Sequence, residues 1–358
     1  MLKIGLIHDN VTDHLLDGSD QSGYFLYKIL KKIQFDVSLV SFYKSKNFFK
    51  EKSNVIKFKD IKNFDLFINI SKNLDEEIIK NIFINNKKII TNIHDNILLK
   101  LKESLVNDNL DKNFDPSNIS VSRNTSLIAD HYDGISNFLE IITKSKIKTI
   151  PFLWDPDFCL ESIGDFDSNS LNKEDLCKVG IFESNNSFYK NSIVPMSICE
   201  GVERFDSSIL KFVFIANIED KMKNVMFNHY YNNLKLKHNN KLYPYHRSNL
   251  SFLISRNAIN TVVSNQLFDM YNYTYFETLF LNRPLIHNSK LYKDVGYYYN
   301  DFEIINASKL LIKAIKTFNI DTSSNNINKE FLNKFSTDNQ DNQDKIKNII
   351  LEEAKNEN

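Results

Sequence analysis

One carboxylate, Glu277, lies inside the apolar stretch TYFETLFLNRPLIHNS at residues 274–289. A carboxylate on a mostly apolar helix needs a hydrogen-bonding partner or a ligand. One turn into a helix, it can accept both hydroxyls of a ribose, while the amides at the start of the helix can hold a phosphate. Asp269 precedes the predicted helix in a loop, from which it could reach a sugar. The alternative interpretation of Glu277 is a solvated helix face or a pair with a lysine.

Polar residues also follow directly after several strand-like apolar runs. In a parallel sheet these positions meet at one edge, where α/β proteins bind their ligands. Each of them could instead cap a helix or close a turn. The positions are His8, Asp9 and Asn10, then His94, Asp95 and Asn96, then Glu183, Ser184, Asn185 and Asn186, then Asn265 and Gln266, and finally His287, Asn288 and Ser289.

Strand-like and helix-like segments alternate along the chain, which predicts mostly parallel sheets with helices on both faces. In the first half the predicted strands are 2–8, 36–42, 64–71, 87–94 and 146–154, and the predicted helices are 24–34, 74–86 and 95–107. In the second half the predicted strands are 178–184, 211–218, 260–266 and 284–289, and the predicted helices are 186–204, 221–236, 272–282 and 306–318.

The alternation breaks once, in an acidic segment with Pro156 and Gly164, and this predicts two domains. We therefore expect an α/β protein with two Rossmann-like, doubly wound domains that face a cleft, plus a C-terminal helix. The predicted boundaries are 1–155 for the N-terminal domain, 156–176 for a linker, 177–320 for the C-terminal domain, and 321–358 for a polar tail and helix.

Composition excludes some classes of protein. The chain has 358 residues with 42% hydrophobic and 13% aromatic content, which is enough for real cores. Lys plus Arg and Asp plus Glu each total 45, so no net charge points to nucleic acid or an anionic membrane. Three widely spaced cysteines show no metal-binding spacing. With no signal peptide and no apolar run of membrane-spanning length, we expect a cytoplasmic protein without a bound metal.

The second half resembles the nucleotide-sugar site of GT-B glycosyltransferases, in which a strand, an acid-bearing loop, a short helix with Glu and a proline-led strand follow one another. In retaining members two acids are separated by seven residues, as Asp269 and Glu277 are here. More specifically, the chain resembles a little-characterised family of bacterial and phage proteins placed among these enzymes. The matching stretches are PFLWDPDF (151–158), FESNNSFYKNSIVPMSICE (182–200), VVSNQLFDMYNYTYFETLFLNRPLIHNS (262–289) and GYYYNDF (296–302).

The resemblance implies transfer of a hexosyl or similar group from a nucleotide-sugar, such as a UDP-sugar, with no other cofactor and no metal. It assigns Glu277 to the ribose. It also implies that the following positions contact the donor: Glu183, Asn185, Lys190, Asn288 and Ser289. Tyr245 and Arg247, in KLYPYHRS, could stack on the base and reach a phosphate, although core packing is the more frequent role of a tyrosine.

The stereochemistry decides what the first domain must supply. An inverting enzyme needs a base that takes the proton of the acceptor hydroxyl. Asp9, His94 and Asp95 are the candidates at the strand ends, and an adjacent acid can tune a histidine. A retaining enzyme needs no such base, and these residues would then hold the acceptor.

Three alternatives stay open. The first is a non-catalytic protein that binds nucleotide-sugars, and the second is a phage enzyme that glycosylates hydroxymethylated pyrimidines in DNA. The zero net charge stands against the second, because a DNA enzyme usually has a basic stripe. A nucleotide-sugar epimerase of the same fold is the third. A dehydrogenase is disfavoured, because no GxGxxG motif follows the first strand.

Overall fold

The computed structural model describes residues 1–8, 18–43, 47–48, 51–52, 54–70, 74–94, 96–107, 125–167, 171–268, 271–319 and 322–355. The chain forms two compact units. Unit 1 consists of Met1–Asp155 together with Asn333–Asn358, and unit 2 consists of Pro156–Leu332.

The strands and helices alternate through both units. The strands are β1 Lys3–Ile7, β2 Asp36–Ser41, β3 Asn47–Phe48, β4 Glu51–Lys52, β5 Asn54–Val55, β6 Leu66–Asn69, β7 Lys88–Ile93, β8 Thr125–Ala129, β9 Lys146–Ile150, β10 Lys178–Ile181, β11 Phe212–Ile215, β12 Leu242–Pro244, β13 Thr261–Val263, β14 Leu285–His287 and β15 Tyr297–Tyr298. The α-helices are α1 Gly18–Lys32, α2 Glu76–Ile84, α3 Ile97–Asn107, α4 Ser136–Thr143, α5 Asp157–Ile163, α6 Ile193–Phe205, α7 Val225–Asn232, α8 Lys235–His238, α9 Leu250–Ser255, α10 Tyr273–Phe280, α11 Ile304–Thr317, α12 Thr322–Asn333 and α13 Gln340–Lys355.

Each unit contains one parallel sheet. In unit 1 the strand order is β5-β2-β1-β6-β7-β8-β9, and in unit 2 it is β12-β11-β10-β13-β14-β15. The central strands are continuous apolar runs, such as KIGLI in β1 and TVV in β13, because helices cover both faces of a parallel sheet. The predicted α/β class and the two doubly wound sheets are therefore confirmed.

The strand order of unit 2 reverses between β10 and β13. The chain runs outward from β10 through β11 to β12, and then returns to the other side of β10 with β13. The crevice beyond the carboxyl ends of two such strands is where doubly wound sheets bind ligands. In this unit Phe182 and Glu183 follow β10, and Ser264 to Gln266 follow β13.

Residues 333–358 follow unit 2 in the sequence but belong to unit 1, and a buried carboxylate holds them there. Asp155 is buried and accepts hydrogen bonds from the Ser336 hydroxyl at 2.8 Å and from the backbone and the hydroxyl of Thr337. Lys28 completes the group, with its Nζ 2.9 Å from Asp155. This cluster attaches the chain before α13 to α1.

Several elements differ from the predicted ones. α1 begins at Gly18, six residues before the predicted start at 24, so the polar segment GSDQSG forms its first turns. α6 begins at Ile193 instead of 186, because residues 185–190 form a turn. The predicted linker 156–176 contains α5. Three strands were not predicted, namely β8, β12 and β15. Of these, β12 and β15 span only three and two residues.

Candidate functional site at the carboxyl edge of the unit 2 sheet

Glu183 ties the ends of β10 and β13 together. It is 1% exposed, and its Oε1 accepts hydrogen bonds from the Ser264 hydroxyl and, at 3.1 Å, from the Asn265 backbone N–H. Its Oε2 accepts a hydrogen bond from Nε2 of Gln266 at 3.3 Å. Burial raises the pKa of Glu183 to about 7, although these hydrogen bonds and the charge of Lys190 favour the ionised form. A buried carboxyl group at the switch point thus organises the loop after β13 through the donors that surround it.

Asn185 shapes the loop that follows β10. Its φ is 56°, in the left-handed region that asparagine tolerates better than other residues with a Cβ. Its Nδ2 donates to the backbone oxygens of Glu183 at 3.1 Å and Ala216 at 3.3 Å, and its Oδ1 accepts from the Ser192 backbone N–H at 2.8 Å. The side chain is therefore engaged in joining the ends of β10 and β11 to the start of α6, and its contact with the donor stays a prediction.

Lys190 brings a positive charge to the same loop. Its backbone oxygen accepts a hydrogen bond from Asn185 at 2.9 Å, and its Nζ lies 6.0 Å from the centroid of the Tyr189 ring. The charge favours the ionised form of Glu183. A partly buried cation thus lies near the switch point, as binding of a phosphate there would require.

Asn288 joins the loops after β13 and β14. Its Oδ1 accepts from the backbone N–H of Gln266 at 2.9 Å, and its Nδ2 donates to the Gln266 backbone oxygen at 2.8 Å and to Asp301. Ser289 is also buried, and its backbone oxygen accepts from Tyr292 at 3.2 Å. The three loops after β10, β13 and β14 are consequently held as one group by side chains that sequence analysis had selected.

Glu277 lies in the second turn of α10, which follows β13 and begins at the same edge of the sheet. The helix is capped by Asn272, whose side chain accepts from the Thr274 backbone N–H at 3.0 Å. Glu277 is 7% exposed, and its Oε2 accepts from the Ser251 hydroxyl at 3.0 Å. Burial raises its pKa to about 7. Among the described residues, no cation lies within ion-pair distance of this carboxylate.

A buried thiol extends this network. Ser251 Oγ lies 3.4 Å from the Sγ of Cys159, which is buried. Because a hydroxyl carries a single proton, the serine can donate to only one of these two groups at a time, and the Glu277 carboxylate at 3.0 Å is the stronger acceptor. Burial, followed by the negative charge of Glu277, raises the pKa of Cys159. The thiol is therefore protonated, and α5, α9 and α10 meet at this point.

Tyr245 and Arg247 follow the edge strand β12 and are both exposed. The Tyr245 ring centroid is 5.1 Å from that of Phe214 and 3.9 Å from that of His246. β11 separates their strand from β10 and the switch point. Tyr245 is 42% exposed, and its stacking on a base stays a prediction.

In unit 1, His94 follows β7 and is half-buried. It lines a shallow depression together with Ser22, Ala129 and Pro151. Three predicted site residues lie outside the described part of the chain, namely Asp9, Asp95 and Asp269. The proposed pairing of His94 with Asp95 therefore stays a prediction.

Sequence analysis missed several residues that complete the site. Gln266 and Asn265 belonged to the pattern of polar residues after strands but were not selected. The Tyr299 hydroxyl, which donates to the Ser264 backbone oxygen at 2.8 Å, and Asp301 both lie in the stretch GYYYNDF. For Ser251 the sequence carries no signal, because a serine in the apolar helix α9 has an ordinary structural role.

Metal-ligand clusters and membrane-spanning helices are both absent from the part of the chain that the structure describes. Within the described ranges, no three His, Cys, Asp or Glu side chains are grouped so as to hold a metal ion. None of the helices that the structure describes has the length and apolar character needed to cross a bilayer.

Comparison with solved structures identifies the fold. HepE (Alr3699) of Anabaena, in complex with UDP and glucose, superposes with a TM-score of 0.63 at 13% identity, over 98% of this chain and 100% of that chain. An alpha-glucosyltransferase in complex with UDP and a 13-mer DNA containing a HMU base gives 0.63 at 11% identity, over 98% and 99%. The DNA modifying enzyme beta-glucosyltransferase gives 0.54 at 14% identity, over 98% and 99%. At these identities the likeness establishes the GT-B fold and no activity.

Comparison with sequences identifies the family. A search of curated proteins found no match. A family model described as "Protein of unknown function (DUF2827)" matches residues 8–350. Because this match spans nearly the whole chain, the protein belongs to the DUF2827 family.

Proposed function

We propose that this protein is a glycosyltransferase that moves a sugar from a nucleotide-sugar to a hydroxyl acceptor without a metal ion. The observation that carries the proposal is Glu277, a buried carboxylate on the helix after β13 that has a serine and no described cation as its partner. Burying a carboxylate without a cation is unfavourable, and such groups concentrate at functional sites. Two ribose hydroxyls would supply the missing donors.

The remaining donor contacts follow from the same edge of the sheet. The amides at the start of α10 and the charge of Lys190 attract the diphosphate. Tyr245 offers an aromatic face to the base. The other proposed donor contacts are Glu183, Asn185, Arg247, Asp269, Asn288 and Ser289.

The reaction needs stabilisation of a leaving group and removal of one proton. The acceptor oxygen forms a bond to the anomeric carbon, and the bond from that carbon to the β-phosphate oxygen breaks with its electrons on the phosphate. The α10 amides and Lys190 would stabilise this negative charge. In an inverting enzyme the acceptor proton passes to a base, for which Asp9, His94 and Asp95 are the candidates.

The similarity in fold to DNA-modifying glucosyltransferases favours a second candidate for the acceptor. Two solved structures with this fold are DNA-modifying or DNA-bound glucosyltransferases, and one of them contains a HMU base. Hydroxymethylated pyrimidines in DNA would supply the primary hydroxyl that the proposed reaction needs. The equal totals of acidic and basic residues argue against tight DNA binding.

A thermal-shift screen with UDP-, GDP-, ADP- and dTDP-sugars tests the donor part of the proposal, because a ligand that binds only the folded protein raises its melting temperature. Any donor that binds is then incubated with the protein, with and without DNA containing hydroxymethyluracil, and the released nucleoside diphosphate is measured in EDTA. Release in EDTA supports metal-independent transfer. Binding with no turnover under any condition would favour a non-catalytic protein, and no binding by any donor would contradict the proposal.

A further inference from the structure

Gln266 has an unusual position at the switch point of unit 2. It is 6% exposed and is the third residue after β13. Its Nε2 has a partner in Glu183, but its Oε1 is buried without a hydrogen-bond partner among the described residues. A buried carbonyl oxygen without a donor is unfavourable, and in native structures it calls for a specific explanation.

Glu183 fixes the orientation of this amide. Its carboxylate can only accept hydrogen bonds when ionised, so the NH₂ group of Gln266 faces it at 3.3 Å. The reversed orientation would place two acceptor oxygens against each other. Gln266 Oε1 therefore points away from Glu183 and offers its lone pairs to another group.

The backbone of Gln266 is also held. Asn288 accepts from the Gln266 backbone N–H at 2.9 Å and donates to its backbone oxygen at 2.8 Å. Both ends of the residue are thus fixed by neighbouring loops, and the acceptor is preorganised. The arrangement leaves one buried polar atom without a hydrogen bond, which lowers the stability of the folded protein. A purely structural role does not explain this loss of stability.

We propose that Gln266 Oε1 accepts a hydrogen bond from a hydroxyl of the transferred sugar. Gln266 would thereby contribute to recognition of the donor sugar. This inference rests on the proposed function. A carbonyl oxygen cannot bind a phosphate, which presents only acceptor oxygens at neutral pH. The hydrogen-bond donors of a nucleotide-sugar are its base N–H groups and its hydroxyls. The proposed function gives both ribose hydroxyls to Glu277 and places the base at Tyr245, whose strand is separated from β10 and the switch point by β11. The sugar hydroxyls therefore remain for an acceptor at the end of β13.

Isothermal titration of UDP and UDP-glucose tests the inference in the wild type, in Gln266→Met and in Gln343→Met. Methionine keeps the length of glutamine without its amide. Gln343 is a matched control, because its Nε2 donates to the Thr337 backbone oxygen at 2.9 Å within unit 1. We expect Gln266→Met to bind UDP as the wild type does and UDP-glucose about tenfold more weakly, the effect of one lost hydrogen bond that leaves a buried hydroxyl unpaired. Gln343→Met should match the wild type with both ligands.

An unchanged ratio of UDP to UDP-glucose affinity in Gln266→Met would overturn the inference. Equal loss of both affinities, in a variant that melts at the wild-type temperature, would also overturn it, because Gln266 would then act on the nucleotide. If the thermal-shift screen selects another nucleotide-sugar, that donor and its nucleoside diphosphate replace UDP-glucose and UDP in this titration. A wild-type protein that binds no donor of the screen would contradict the proposed function itself, and the inference with it.

A second arm uses only the unaltered protein and so does not depend on the folding of a variant. Four UDP-glucose analogues each lack the 2-, 3-, 4- or 6-hydroxyl of the sugar. We expect one of them to bind the wild type about tenfold more weakly than UDP-glucose does. Equal affinity for all four analogues and for UDP-glucose would overturn the inference.

Discussion

At the scale of single residues, the two buried glutamates of unit 2 have different surroundings. Glu183 receives hydrogen bonds from three neighbours, Ser264, Asn265 and Gln266. Glu277 receives a side-chain hydrogen bond from Ser251. Burial raises the pKa of both to about 7. Glu183 thus organises the loops at the switch point, and Glu277 is the carboxylate that we propose for the ribose.

The raised pKa of Glu277 predicts how stability changes with pH. Its pKa is 4.5 in the unfolded chain and about 7 in the folded one, so the folded protein binds the proton more tightly. The contribution of Glu277 to stability should therefore fall as the pH rises from about 4.5 to 7 and stay low above that. Glu277→Gln, which is neutral at every pH, should be more stable than the wild type at pH 8 by up to roughly 3 kcal/mol, at about 1.4 kcal/mol per pKa unit.

Urea unfolding at pH 5 and pH 8 measures this difference. The exposed Glu161, on α5 of the same unit, provides the control variant Glu161→Gln, which should show little change at either pH. A gain from Glu277→Gln that is the same size at both pH values would contradict the assigned pKa.

Part of this site was predictable at the residue scale. Glu277 stood out because a charge inside an apolar helical run has few structural explanations. The role of Asn185 was not predictable, because its partners Ala216 and Ser192 depend on how β10, β11 and α6 are placed in space. Ser251 gave no signal, since its partner Glu277 is 26 residues away in sequence.

At the scale of elements, unit 2 depends on close contact between α6 and α11. Gly201 on α6 lies against Ser308 on α11, and a methyl group at Gly201 would overlap the Ser308 hydroxyl and approach its Cβ to 3.1 Å. Ser308 Oγ itself lies 2.8 Å from the backbone oxygen of Ile198, so it is not free to move aside. Glycine is therefore required by packing at a position where helix propensity would favour alanine.

Gly201→Ala should accordingly destabilise the protein by about 1–3 kcal/mol, as overpacking does, despite the better helix propensity of alanine. Chemical denaturation measures the change. Gly134→Ala is the matched control, because no atom lies within 4 Å of a Cβ built there, and it should be tolerated. Wild-type stability in Gly201→Ala would show that the two helices can separate without cost.

The sequence predicted most strands of the two sheets. β1, β6, β7, β10 and β11 were found, whereas β8 was missed although it spans five residues. β12 and β15, with three and two residues, are too short to show any period, while β13 and β14, with three residues each, were found inside longer predicted strands. The start of α1 was missed because Gly18 and Gly23 are poor helix formers. Gly23 is explained by packing, since a Cβ there would lie 2.6 Å from Ile70 Cδ1.

At the scale of the whole molecule, the end of the chain belongs to unit 1. α13 buries Ile346 and Ile350, and its Glu353 accepts from the Thr125 hydroxyl at 2.6 Å. Lys148 pairs with Glu352 at 2.9 Å. These contacts join residues more than 200 positions apart, so no local pattern in the sequence could have placed this helix.

This arrangement predicts separate responses of the two units. Ile350→Ala should reduce protection from hydrogen exchange in β9 and α1, while Leu311→Ala, a matched change in a buried residue of α11, should reduce it in unit 2. Each should cost about 2–5 kcal/mol in its own unit, as large-to-small core substitutions do. Equal loss of protection in both units after Ile350→Ala would contradict the assignment of α13 to unit 1.

The account as a whole depends on Glu277 binding the ribose of a nucleotide, and calorimetry of UDP binding to the wild type, Glu277→Gln and Glu161→Gln at pH 8 tests this most directly. Glutamine keeps the size of the side chain but gives up one acceptor and the charge. We predict that Glu277→Gln binds UDP at least about tenfold more weakly, as loss of a charged hydrogen bond implies, while Glu161→Gln matches the wild type. UDP affinity in Glu277→Gln equal to that of the wild type would contradict the account.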